Sequence, residues 1–177
     1  KNHDAWFPLF FGTARARACF APLNCRLAAG EIAFILEDAA PRVLFVSDDF
    51  FPLAQDAVAG LAHPPHLVAL CGEDAAFEPL DSWLGHAAET PPADPPQLSD
   101  HVLQLYTSGT TGRPKGVVLD NTNYRSFLEM ASAVDGFAYG EGETVMIVMP
   151  LFHVAGTNVS FSGLAQGARL VVVKDFV

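Results

Sequence analysis

Ten consecutive residues, Thr107 to Gly116, bring together three glycines (Gly109, Gly112, Gly116), four hydroxyls (Thr107, Ser108, Thr110, Thr111), Pro114 and the cations Arg113 and Lys115. This is a set that can hold an anion. Glycine accepts positive φ and lets backbone N–H groups turn inward around a phosphate, while the hydroxyls donate and lysine adds charge. The stretch is not the G-x-x-x-x-G-K-[ST] loop of common nucleotide hydrolases. Pro114 precedes Lys115, Gly116 follows it, and the next residues read as a strand, not a helix. A ligand-free surface hairpin rich in Gly, Ser and Thr is the plain alternative. The second candidate is His153, in "VMPLFHVAG" (148–156). A histidine among apolar residues is often only a satisfied core side chain, so the residues alone leave both readings of it open.

The other titratable groups are weaker candidates. His63 and His66 flank Pro64-Pro65 with no third ligand near in sequence, and read as loop residues and not as a metal site. Cys19, Cys25 and Cys71 are odd in number and lack metal-ligand spacing, so they read as buried, reduced thiols. Asp48-Asp49 and Glu73-Asp74 follow apparent strands and read as solvated turn carboxylates. Arg15 and Arg17 are expected to face solvent or a neighbouring domain.

Half of the 177 residues are hydrophobic and 17% are charged, which marks a globular chain. A net charge of −10 argues against nucleic acid and against anionic lipid as partners. A phosphate-bearing ligand must therefore be small and met by a local positive site. No apolar run approaches the roughly 18 residues of a membrane span, and no secretory signal is visible. The expectation is a cytoplasmic protein with no integral membrane segment.

The elements that must carry these residues alternate between helix and strand. Residues 3–18 read as a helix with Trp6, Phe7, Phe10, Phe11 and Ala14 on one side and Pro8 in its first turn. A short strand follows at 19–23, then a helix at 29–39 closed by Pro41. A strand at 42–46 is apolar throughout, as if covered on both faces. A helix at 50–61 and a strand at 66–70 complete the first half. Residues 89–100, "ETPPADPPQLSD", hold four prolines and read as a stiff connector. A strand at 101–106, the Gly-rich loop, a strand at 116–119, a helix near 122–134, a strand at 144–149, an element after Pro150 and a terminal strand follow. The class is α/β: βαβ units with largely parallel sheets flanked by helices. The expected organisation is an N-terminal subdomain (1–88), the connector (89–100) and a second subdomain (101–177).

"YTSGTTGRPKGV" (106–117) resembles the phosphate loop of the adenylate-forming superfamily, which includes acyl-CoA synthetases, luciferases and peptide-synthetase adenylation domains. The resemblance extends through "ARACFAPLNCRLAAGEIAFILEDAAPRVLFV", "VMPLFHVAG" and "GARLVVVKDF". It implies ATP, Mg²⁺ and coenzyme A as cofactor and co-substrates, with a small carboxylic acid as partner. It implies that Thr107, Ser108, Gly109, Thr110, Thr111, Gly112 and Lys115 bind ATP, and that Thr107 approaches Mg²⁺. Lys115 and His153 are the implied catalytic residues, His153 beside the acyl carboxylate and thiol tunnel. Phe152-His153, in place of the Phe-Asp of amino-acid-activating domains, points to a fatty-acyl or aryl-CoA ligase. A carrier-protein-dependent adenylation domain and a non-catalytic nucleotide-binding or scaffold module are the alternatives. One departure from the family pattern is Asn121, where a histidine is usual. None of the family's later motifs is matched. The resemblance therefore implies a piece of the large N-terminal domain, missing the C-terminal part of its parent enzyme and inactive by itself.

Overall fold

A computed structural model describes residues 1–88, 90–107, 113–134 and 138–175. The architecture is α/β. Helix α1 is Trp6–Arg15, α2 is Ala29–Ala39, and strand β1 is Val43–Val46. Helix α3 (Phe51–Val58) leads to β2 (His66–Ala69), β3 (Glu78–Pro79) and the short α4 (Leu80–Gly85). Then come β4 (His101–Thr107), β5 (Lys115–Asp120), α5 (Asn121–Ser132), β6 (Thr144–Ile147), α6 (Val154–Ala165) and β7 (Arg169–Val172). β1, β2 and β3 form one sheet and are paired in parallel. β6 and β7 are also parallel, with α6 as their crossover, and β4 pairs with β5.

The chain separates into two compact units. One comprises residues 1–24, 92–105 and 116–177. Its core is aromatic: Trp6 stacks on Phe10 at 5.4 Å, and Phe10 meets Phe161 of α6 at 4.7 Å. Val102, Leu103, Ile147 and Leu151 close around them, each at most 2% exposed. Burying each such side chain contributes on the order of 1.5–3 kcal/mol. The i, i+4 spacing of Trp6 and Phe10 puts both on the inner face of α1, and Pro8 lies in the first turn where no N–H is missed. Phe11, expected on that face, lies off it and is 50% exposed.

The other unit comprises residues 25–91 and 106–115. Val46, Phe51, Ala54, Ala69 and Phe77 form its core, with Phe51 stacked on Phe77 at 4.3 Å. Helix α2 starts where Glu31 accepts the Ala28 N–H at 2.9 Å, and ends at the left-handed Ala40 before Pro41.

Several expectations need correction. The strand at 19–23 reduces to a single bridge, Phe20 to Leu103. β1 is half-buried over most of its length, not covered on both faces. β3 and α4 had no counterpart in the sequence reading. Cys19 and Cys71 are exposed and Cys25 is half-buried, so the thiols are not core residues. Arg15 and Arg17 are not simply solvated. The Arg15 guanidinium donates to the carbonyls of Asp94 and Pro92, and Arg17 donates twice to the Asp100 carboxylate at 2.8 and 2.9 Å. The proline-rich segment is thus held by one cation at the end of α1 and another just after it.

Candidate functional site

Thr107 is the last residue of β4 and Lys115 the first of β5, both exposed. Ser108, Gly109, Thr110, Thr111 and Gly112 lie outside the described residues. The two stems of the loop are anchored on the same helix. Tyr106 donates its hydroxyl to Asp38 Oδ2 at 2.6 Å, and the Arg113 guanidinium lies 5.6 Å from the ring centre of Phe34. Phe34 and Asp38 are one turn apart on α2. Of the two cations expected to supply charge to the loop, Arg113 is therefore engaged with an aromatic face.

His153 is exposed and caps α6. Its Nδ1 accepts the Ala155 N–H at 3.2 Å, and its own N–H donates to the Pro150 carbonyl at 3.0 Å. Two features hold this segment in place. Asn2, 8% exposed, donates Nδ2 to the carbonyls of Met149 and Val173 and accepts the Leu151 N–H at 2.8 Å. Gly156 packs its α-carbon against the Pro150 carbonyl so closely that a Cβ there would lie 2.3 Å from the oxygen. Only glycine fits, which accounts for the glycine closing "PLFHVAG".

Asn121 opens α5 behind an Asp120 cap, whose carboxylate accepts the Asn123 N–H at 2.8 Å. The Asn121 side chain donates to the Gln97 carbonyl at 2.8 Å, and the Thr122 hydroxyl donates to that of Leu98. The residue that departs from the family pattern thus secures the 97–100 segment.

His66 meets the strand expected at 66–70 and not its reading as a loop residue. His63 is in a loop, but His66 begins β2. His66 Nε2 lies 2.6 Å from Glu78 Oε2, and His86 Nε2 lies 3.4 Å from Oε1. The hydrogen bond from His66, above all, holds the Glu78 carboxyl below the usual range. Among the described residues no three His, Cys, Asp and Glu side chains are grouped to hold a metal. Asp48 and Asp74 do more than decorate turns: Asp48 accepts from the Cys71 thiol at 3.3 Å, and Asp74 from the Gln55 amide at 3.2 Å. No helix among the described residues is long and apolar enough to cross a membrane.

Sequence reasoning missed Asn2, Phe34 and Asp38. Their partners lie 68 to 171 residues away wherever a side-chain hydrogen bond is involved, and no local pattern marks them.

The sequence matches the AMP-binding enzyme family over residues 1–177. It is similar to the fatty acid–[acyl-carrier-protein] ligase ScoC of Streptomyces coeruleorubidus, 32% identical over 99% of this chain and 33% of that protein. It is also similar to the long-chain-fatty-acid–CoA ligase FadD13 of Mycobacterium tuberculosis, 35% identical over 95% of this chain and 32% of that protein. Among solved structures, the inhibitor-bound N-terminal domain of FACL13 from Mycobacterium tuberculosis superposes with a TM-score of 0.80. That match has 30% identity and covers 99% of this chain and 43% of that one. The chain spans about a third of the length of the curated relatives it matches. A Gly-rich run between paired strands, carried on this α/β frame and matched from end to end, places the chain in the AMP-binding enzyme family, as a part of its fold.

Proposed function

We propose that this chain is the ATP-handling part of a ligase that activates a carboxylic acid as its adenylate and passes the acyl group to a thiol. The observation that carries the proposal is the run Thr107–Gly116. Its two stem residues, Thr107 and Lys115, are exposed where β4 ends and β5 begins. In the first step a carboxylate oxygen bonds to the α-phosphorus of ATP and the bond to pyrophosphate breaks. Negative charge builds on the departing pyrophosphate. Lys115, the hydroxyls of Thr107, Ser108, Thr110 and Thr111, and the amides of Gly109 and Gly112 are the groups that would meet it. Removing one preorganised donor of this kind typically costs about 3 kcal/mol of barrier.

The Thr107 hydroxyl is the kind of hard oxygen that Mg²⁺ accepts beside phosphate oxygens. Bound there, the ion would neutralise phosphate charge. His153, exposed at the start of α6, orients the acyl carboxylate. The two compact units of the fold serve as its subdomains, in a cytoplasmic enzyme. The 177 residues alone are inactive, and turnover requires the remainder of a chain with the length of its relatives.

The acid is a fatty or aryl acid, in keeping with Phe152-His153 and with the names of the relatives. Coenzyme A is the first reading for the thiol. A carrier-protein thiol is the second, favoured by the similarity to an acyl-carrier-protein ligase. Full-length protein incubated with ATP, hydroxylamine and a panel of fatty and aryl acids tests the first half-reaction. An acid-dependent hydroxamate is expected, and none with any acid overturns the proposal. Supplying coenzyme A or a carrier protein to the active acid then separates the two acceptors by product mass.

A further inference from the structure

We infer that Phe34 and Asp38 of α2 form a two-point clamp that positions the phosphate loop, and that Arg113 is an anchor of this clamp and not a phosphate ligand. The inference rests on the reading of Thr107–Gly116 as the ATP loop and assigns a role to residues outside it. Ile32, Ile35 and Leu36 are the buried residues of α2. Phe34 and Asp38 are left to one side, one turn apart, half-buried and exposed respectively. The residue just before the loop's first hydroxyl, Tyr106, is tied to Asp38 by a 2.6 Å hydrogen bond to a charged oxygen. Two residues before Lys115, Arg113 lies over Phe34 at 5.6 Å. Both ends of a glycine-rich stretch are thereby tied to one rigid element. Glycine-rich loops lose much entropy on ordering, so fixing both ends reduces what the nucleotide must order. Pro114, half-buried between the anchored Arg113 and Lys115, stiffens the remaining link. Lys115, exposed, is then the cation at this end of the loop left for the nucleotide.

The test is a double-mutant cycle on full-length protein, read as the Kd for MgATP by calorimetry, with thermal melting to check folding. Phe34→Ala and Arg113→Ala are each expected to raise Kd about two- to fivefold, the range of an exposed cation–π contact. Because one acts through the other, the double variant should be no weaker than either single variant. Arg113→Lys, which keeps a cation over the ring, should recover most of the affinity. Asp38→Ala and Tyr106→Phe should behave as a second non-additive pair. Lys115→Ala should lose affinity additively with Arg113→Ala. Additive losses for Phe34 and Arg113, or unchanged Kd in both, overturn the clamp while leaving the loop assignment intact. A wild type that does not bind MgATP overturns the loop assignment itself and the clamp with it.

Discussion

Gly156→Ala is the sharpest test of how the His153 segment is built. An alanine Cβ at this position would stand 2.3 Å from the Pro150 carbonyl oxygen and 3.0 Å from that of Met149. Real Cβ contacts essentially never fall under 3.0 Å, so the turn would have to open by about 0.7 Å. The obstructing atoms are backbone and cannot swing aside as a side chain would. Overpacking of this sort costs roughly 1–3 kcal/mol, and a rigid obstacle belongs at the upper end. Alanine in a helix returns about 1 kcal/mol relative to glycine. The expected net loss is about 2 kcal/mol, a fall in Tm of roughly 4–8 °C for a chain of this size. Gly12→Ala in α1 is the control, since nothing lies within 4 Å of its added Cβ. It should gain about 0.5–1 kcal/mol from helix propensity alone. Thermal denaturation followed by circular dichroism reads both. The same displacement disturbs the Pro150 carbonyl that accepts the His153 N–H, so Gly156→Ala should also weaken that hydrogen bond. If Gly156→Ala melts with the wild type or above it, the close approach is not as described and the argument fails.

Asn2→Ala removes three hydrogen bonds and leaves the buried Leu151 N–H without its acceptor, for an expected loss of about 2–3 kcal/mol in a urea titration. Asn2→Asp should be no better, because a carboxylate would then face the Met149 and Val173 carbonyls. The Asp100 carboxyl is held below its usual range, first by the hydrogen bond from Arg17. Its contribution is present above the unfolded value near pH 4 and is lost as pH falls through the lower folded value. Arg17→Met should therefore shift acid unfolding, followed by far-UV circular dichroism, to higher pH. Burial pushes the Tyr124 hydroxyl up to about 12. The fold favours the neutral phenol, so stability should decline above about pH 10, by roughly 2–3 kcal/mol at pH 12. Tyr124→Phe should remove that component of the alkaline decline; an identical slope in the variant would count against it.

What could be read from the chain was whatever is contiguous. The Gly-rich run is ten adjacent residues, and α1 and α2 carry their apolar faces at helical spacing, so both were visible. Helix α6 was not recognised as a helix, for a physical reason. Gly156, Thr157, Ser160, Phe161, Ser162 and Gly163 are all buried, so apolar and small residues surround its axis and no single stripe remains. α4 has six residues and β3 two, too few for a period to register. β1 is an apolar run whose neighbours, not its own residues, decide how much of it is covered. At the site, His153 and Lys115 were named from their motifs. The groups that position their segments were not, because Asn2 acts across 149 residues on Leu151, and Asp38 across 68 on Tyr106. Such partners are brought together only by the fold.

The central claim is that Thr107–Gly116 is the phosphate loop of a carboxylate-activating enzyme. Acid-dependent exchange of labelled pyrophosphate into ATP, measured on full-length protein with fatty and aryl acids, tests it most directly. The account predicts exchange with at least one acid, falling by about two orders of magnitude in Lys115→Ala as expected for loss of one preorganised donor. Exchange that is absent with every acid, or undiminished in Lys115→Ala, would contradict it.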